Sequence, residues 1–200
     1  MLQPSGGKAS ALPEGIFIAV VGPSGAGKDT LLTRAAEAFP DRGDMLFVRR
    51  VITRPSDGVT EDHDTLSVEA FEKARQGGAF SVSWGAHGLH YGLPAAALHA
   101  VKSGHAVIAN VSRASLSDCL DIFGKLAIVE ITVAEATLAE RIARRGRESG
   151  PDALQRIRRS MAVVVPAGAT HIRIDNSGAI EAATQAFVAA LSSLAPLPGR

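Results

Sequence analysis

The chain has 200 residues, 46% of them hydrophobic, 20% charged and 20 of them glycine; this suits one domain burying about 70% of its unfolded surface and excludes a coiled coil, a collagen-like chain and a disordered polypeptide. Lys plus Arg number 21 against 20 Asp plus Glu, for a formal charge of +1, and only 4% of residues are aromatic, so nucleic acid is not an expected partner and anion recognition has to be local. The single cysteine, Cys119, cannot form an internal disulfide and has no Cys or His neighbours at metal-ligand spacing, which points to a reducing, cytoplasmic setting without zinc.

In chain order, residues 1–14 read as a Pro/Gly/Ser tail without an apolar run of signal-peptide length, and no segment approaches a membrane span. From residue 15, short β-branched runs alternate with amphipathic ones. They predict a strand over Ile16–Val21 and a helix over Asp29–Phe39, a strand over Leu46–Ile52, a strand over His105–Asn110 and a helix over Ala114–Phe123. Further on they predict a strand over Leu126–Thr132 and a helix over Ala134–Arg145, then a strand over His171–Ile174 and a helix over Ala179–Leu194. Parallel strands need crossovers and are covered on both faces, so the alternation implies an α/β fold, a parallel sheet flanked by helices. Between about Thr53 and Pro94 the rhythm breaks into a polar loop, a short helix near Val68–Gln76 and strand-like pieces at Ala79–Trp84 and Leu89–Tyr91. This stretch reads as an insertion covering the ligand-binding edge of the sheet. A single domain over 15–194 is expected, with 195–200 as a frayed end.

The strongest chemical signal is the run Gly22, Pro23, Ser24, Gly25, Ala26, Gly27, Lys28, Asp29, Thr30, which follows an apolar strand and opens a helical pattern. Glycines let the backbone curl so that successive N–H groups meet phosphate oxygens, the helix start adds its positive end, and Lys28 reaches the outer phosphates. The run reads as a phosphate-binding loop, against the plainer alternative of a glycine-rich turn with a capping Asp29. Where a Ser or Thr hydroxyl usually meets magnesium stands Asp29, with Thr30 next, and the strand ending at Asn110 has an amide where many phosphate-loop proteins carry a metal-associated carboxylate. Asp29 and Thr30 are therefore the expected Mg2+ residues, Asp29 supplying the missing charge. Asp29 complementing the helix dipole is an equal alternative.

GPSGAGKDT, Thr53-Arg54, Phe80, Trp84, Tyr91-Gly92, the segment from Glu140-Arg141 to Arg147 and Asp175-Asn176 lie in the order of the guanylate kinases over most of the chain. Within that superfamily of P-loop kinases the chain is more similar to the ribose 1,5-bisphosphate phosphokinases, through RRVITRP (49–55), EDH (61–63), WGAHGLHYGLP (84–94) and NVSRA (110–114). The resemblance implies a phosphate-loop core, an acceptor-binding insertion, a lid over about 140–152, and ATP with Mg2+ as cofactors. It implies synthesis of phosphoribosyl diphosphate from ribose 1,5-bisphosphate in bacterial phosphonate use. It also implies that Tyr91 offers its hydroxyl to an acceptor phosphate, that Arg145 stacks near adenine with Asn176 on its edge, and that Arg147 and Arg158 face phosphates.

Departures from guanylate kinase bear on the acceptor. That family carries a second Arg after TR, a Tyr in a DY pair and a Glu before the Trp-like position; the corresponding stretch here offers Ser56 and Asp57, then His63, then Ser83. A buried guanine would leave unpaired donors at a cost of about 1–3 kcal/mol each, so GMP is expected to be a poor substrate. A sugar bisphosphate instead wants cations and polar groups, for which Arg49, Arg50, Arg54, His63, His87, His90 and Arg113 are available, with Tyr91 and Asn110 beside them. Each has a plain alternative: Arg49 and Arg50 as a solvent-facing strand end, any loop histidine as structural, Tyr91 as core. Trp84 reads first as packing and second as pocket wall.

Arg141, Arg144 and Arg145 share a helical face and are followed by Gly146 and Arg147, with Arg156, Arg158 and Arg159 soon after. Capping and the helix dipole account for one or two of these cations; the cluster reads as a lid that neutralises a moving phosphoryl group. Lys28, Arg54, Arg141, Arg147 and Arg158 are thus the expected catalytic residues. A phosphate monoester is already mostly dianionic at neutral pH, so no catalytic base is required. The expected partner is a small sugar phosphate, without membrane or nucleic acid, and a homodimer is left open. A nucleoside monophosphate kinase, an adenylate- or shikimate-type small kinase and a non-catalytic guanylate-kinase-like binding module remain alternatives.

Overall fold

A computed structural model describes residues 15–54, 64–86, 88–145 and 162–195, with backbone alone at 144 and 145. The alternation of buried apolar strands and amphipathic helices folds as expected. The strands are β1 (Ile16–Val21), β2 (Met45–Phe47), β3 (Val51–Ile52), β4 (Asp64–Thr65), β5 (Phe80–Ala86), β6 (Leu89–Pro94), β7 (Ala106–Asn110), β8 (Leu126–Thr132) and β9 (Thr170–Asp175). The helices are α1 (Lys28–Ala38), α2 (Val68–Gln76), α3 (Ala95–Lys102), α4 (Leu116–Phe123), α5 (Glu135–Arg145) and α6 (Ile180–Leu194), with a 3-10 turn at Arg113–Ser115 before α4. Five parallel strands run in the order β2-β7-β1-β8-β9.

Every residue of β1 and β7 is buried, as a parallel sheet with both faces covered requires. Ile18, Val20, Ile108 and Val129 pack with Leu31 of α1 and Phe187 of α6 on one face. Phe17, Val107 and Ile128 pack with Val101 of α3 and Leu116 of α4 on the other. Among the described residues no helix is long and apolar enough to cross a membrane.

Two expectations need correcting. The apolar run Leu46–Ile52 is not one strand. Val48 gives its N–H to Ile108 at 2.9 Å, and then the chain leaves β7 and re-enters pairing as β3 in a second sheet ordered β4-β3-β6-β5. The cations Arg49 and Arg50 occupy the crossing between the sheets, where hydrophobicity alone gives no sign of a break. Helix α3 was not foreseen. Its sequence AAALHAVK has little polar contrast, and its Ala97 and Val101 become an inner face only once β5 and β7 are beside them.

The insertion has its expected short helix and hairpin, with α2 capped by Ser67, whose hydroxyl accepts the Ala70 N–H at 3.1 Å. The part of it at 55–63 lies outside the described residues. Val82 and Leu93 tie its sheet into the core beneath β1.

Cys119 is fully buried in α4, and desolvation, the largest influence on it, pushes its thiol up to about 12. The native protein is expected to leave this thiol unreacted with a thiol reagent at pH 8, while one equivalent reacts in denaturant. A colorimetric thiol titration checks this.

Glu130 is a buried charge on the sheet. Its carboxylate accepts the Arg173 Nε–H at 3.0 Å and lies 3.0 Å from His171 Nε2, both side chains coming from β9. In Glu130→Ala the exposed Arg173 guanidinium turns to water while His171 loses its partner on the sheet, and a loss of about 1 kcal/mol in a urea unfolding measurement is expected.

Candidate active site

The loop at residues 22–27 leaves the C-terminal end of β1 and turns directly into α1. Gly27 caps α1 in the left-handed region at φ 84°, and its carbonyl accepts the Leu31 N–H at 3.0 Å. Lys28 bends back over the loop, donating to the carbonyls of Gly22 and Pro23, each at 2.9 Å. This holds the ammonium above the place where the loop's N–H groups and the helix start attract an anion.

Asn176, at the end of β9, is 1% exposed and reaches the loop from the far edge of the sheet. Its backbone N–H goes to Thr132, its side-chain amide donates to the Ala26 carbonyl at 2.8 Å, and its Oδ1 is buried without a hydrogen-bond partner among the described residues. A buried acceptor beside a nucleotide cradle fits a group that donates hydrogen bonds, as an adenine edge does.

Helix α5 comes down on the loop. A Cβ at Gly25 would lie 3.2 Å from Leu138 Cδ1 and 3.3 Å from Ile142 Cγ1, so Arg141, between these two anchors, stands on the helix that covers the phosphate cradle. Arg145 ends α5, its side chain not among those described; Arg147 and Arg158 lie outside the described residues, as do His63 and His87.

Asp29 and Asn110 meet. The Asn110 amide, 6% exposed at the end of β7, donates to Asp29 Oδ1 at 2.9 Å. The pair exchanges the chemistry of its two positions: the helix start brings the carboxylate and the strand end the amide. Thr30 is exposed on the next helical position. Among the described residues no group of three or more His, Cys, Asp or Glu gathers at one point. A magnesium ion in a phosphotransferase takes one or two protein carboxylates and fills its shell with phosphate oxygens and water, which Asp29 beside the cradle fits.

The insertion is tied together across its own strands. The Thr53 hydroxyl accepts the His90 N–H at 3.0 Å, and the Thr53 N–H goes back to the His90 carbonyl at 3.1 Å. This double tie fastens the segment carrying Arg54 to the strand carrying Tyr91. Tyr91 stacks on Trp84 at 5.5 Å with the rings nearly parallel, and the Arg50 guanidinium lies 5.7 Å from the Tyr91 ring centre. Trp84 thus packs, against Tyr91 and against the core below it.

Arg113, on the turn after β7, is half-buried; desolvation pulls its pKa down and the Glu130 charge opposes that pull. A cavity of about 240 Å³ lies along α1, with Asp29, Asn110, Arg49 and Arg50 contributing polar groups and Leu32, Phe47 and Ile108 an apolar wall. The tie through Thr53 and the anchors Leu138 and Ile142 escaped the reading of the sequence, because each has its role only through a partner distant in the chain.

No family model matches the chain. A protein of Agrobacterium fabrum named ribose 1,5-bisphosphate phosphokinase PhnN is 45% identical over 180 residues, covering 90% of this chain and 97% of that protein. One of the same name from Rhizobium etli is 43% identical over 180 residues, covering 90% and 91%. A bifunctional ribose 1,5-bisphosphokinase-thymidine phosphorylase of Azorhizobium caulinodans is 43% identical over 182 residues, which are 91% of this chain and 26% of that longer protein. Among solved structures, guanylate kinase from Anaplasma phagocytophilum superposes with a TM-score of 0.65 at 13% identity, covering 93% of this chain and 89% of that one. A gluconokinase from Sinorhizobium meliloti superposes with a TM-score of 0.52 at 20% identity, covering 92% and 95%. At such identities the two structures share the fold alone.

Proposed function

This chain belongs to the ribose 1,5-bisphosphate phosphokinase family, and from that membership we propose how its site phosphorylates ribose 1,5-bisphosphate to 5-phospho-α-D-ribosyl 1-diphosphate with ATP as donor. The observation that carries the reading is 43–45% identity along nine-tenths of the chain. An oxygen of the acceptor's 1-phosphate forms a bond to the γ-phosphorus of ATP while the bond from that phosphorus to the β–γ bridging oxygen breaks, and ADP leaves with the electron pair. The attacking phosphate is already mostly dianionic near pH 7, so positioning and charge neutralisation carry the step.

Each part of the site has a role in this reading. The loop from Gly22 to Gly27, Lys28 and Thr30 hold the donor phosphates, and the buried Asn176 Oδ1 takes a hydrogen bond from the adenine amino group. Arg54 and Tyr91, fastened together through Thr53 and His90, aim the acceptor's 1-phosphate. Arg113 and Asn110 face the sugar from the end of β7. Arg141 meets charge on the transferring group from α5, and Arg145, Arg147 and Arg158, with His63 and His87, join by resemblance. Asp29 would hold Mg2+, which would supply positive charge to the donor phosphates.

A guanylate-kinase reading shares the fold. It lacks the side chains that would read a guanine edge: Ser83, at the Glu position, lies on β5 opposite Gly92. The deciding experiment offers ribose 1,5-bisphosphate and GMP at equal concentrations to the purified protein with ATP and magnesium, and follows ADP release. Turnover of the sugar with at least about 100-fold lower kcat/KM for GMP is expected from the unpaired guanine donors. Preferred turnover of GMP would overturn the reading.

A further inference from the structure

We propose that the cavity beside α1 seats the far arm of the acceptor, and that Arg49 is the cation that selects for its distal 5-phosphate. This inference rests on the reading of the protein as a ribose 1,5-bisphosphate kinase and adds the subsite that makes it a bisphosphate enzyme. Three neighbouring strand ends supply its parts in a row. At the end of β1, Lys28 sits over the phosphate loop; at the end of the adjacent β7, Asn110 is bonded to Asp29; beyond the end of β2, outermost in the sheet, come Arg49 and Arg50. Neighbouring parallel strands lie about 4.8 Å apart, so the row from β1 to β2 spans about 10 Å.

An acceptor with one phosphate at each end of a pentose matches that sequence of charges. The phosphate that is extended lies toward Lys28 and the loop after β1, the hydroxyl-bearing ring beside the Asn110 amide at the end of β7, and the second phosphate against the cations after β2. The reaction itself fixes the orientation, because the phosphate that is extended has to face the donor held by Lys28 and the loop. The apolar wall of Leu32, Phe47 and Ile108 takes the carbon face of the ring and leaves the polar groups to the edge. Arg50 is stacked over Tyr91 and so is shared with the reacting end, whereas Arg49 is exposed and lines the same cavity. Arg49 is therefore the position at which a substitution tests the distal end without disturbing that stack. The break in the strand between Val48 and Val51 is what delivers both arginines here.

The test compares the wild type with Arg49→Ala and Arg49→Lys, using ribose 1,5-bisphosphate as substrate and ribose 5-phosphate and ribose 1-phosphate as competitive inhibitors. Arg49→Ala is expected to lower kcat/KM for the bisphosphate about 30- to 100-fold, mostly through KM, as loss of one charge-assisted contact does. It is expected to raise the inhibition constant of ribose 5-phosphate in proportion, leave that of ribose 1-phosphate and the KM for ATP unchanged, and be partly rescued by lysine. An equal rise for both inhibitors, or no rise for either, overturns the proposal. If the wild type itself does not turn over the bisphosphate, it is the reading of the activity that fails, and no variant is needed to see it.

Discussion

Lys28→Ala is expected to lower kcat about a thousand-fold while the protein melts within a few degrees of the wild type. The magnitude follows from the task. A positioned cation on phosphates whose charge shifts during transfer acts in a water-poor cradle, where removing one such donor costs about 10²–10³ in rate. The small change in stability follows from the structure. Lys28 is half-buried, and its bonds to Gly22 and Pro23 go to carbonyls that water can satisfy. Their loss is worth about 1 kcal/mol, or roughly 2–4 °C in a chain of this length. Lys28→Arg is expected to remain impaired as well, because a planar fork does not replace a compact point charge inside so tight a loop. ADP release beside a circular-dichroism melt reads both quantities; near-normal turnover in Lys28→Ala would remove the phosphate-loop mechanism.

Gly27→Ala is the second substitution with a large expected effect, and its damage has two sources. A Cβ in the left-handed region costs about 1–2 kcal/mol, and Gly27 has φ 84°. The new methyl would also lie 2.6 Å from Asn176 Nδ2, the atom that holds the Ala26 carbonyl. To make room, Asn176 must leave the loop, so the cradle loses its shape together with its tie to β9. A fall of about 2 kcal/mol in unfolding free energy and at least a tenfold rise in KM for ATP are expected. The steric part can be separated from the backbone part by the double variant with Asn176→Ala. Where the methyl's clash with Asn176 matters, the double variant is more stable than the sum of the single changes predicts. Strict additivity in urea unfolding would show that the two residues do not work as a unit.

Much of this molecule was legible from periodicity. The buried runs that became β1, β7 and β8 are nearly continuous apolar stretches, and a strand covered on both faces has no other pattern to show. The phosphate loop was legible too, since Gly27 and Lys28 act through neighbours within a few positions of themselves. The split between β2 and β3 was not: Val48, Arg49, Arg50 and Val51 continue a strand-like pattern, and only the pairing of Val48 with β7 and of Val51 with Gly92 shows that they serve different sheets. The same holds for α3, whose buried face is defined by its neighbours.

The candidate site divides along the same line. The sequence by itself determined the chemistry available: a lysine behind glycines, a carboxylate where a hydroxyl is usual, an amide where a carboxylate is usual, and more arginines than capping needs. The tertiary structure decided which of these act on one another. It bonded Asn110 to Asp29 across 81 positions and Asn176 to the loop across 150, tied Thr53 to His90, and lined up the ends of β1, β7 and β2. The physical reason is the parallel sheet. Its strands are neighbours in space only after crossovers of many residues, so the edge where the ligand groups collect is assembled from segments whose order along the chain does not state their order in the sheet.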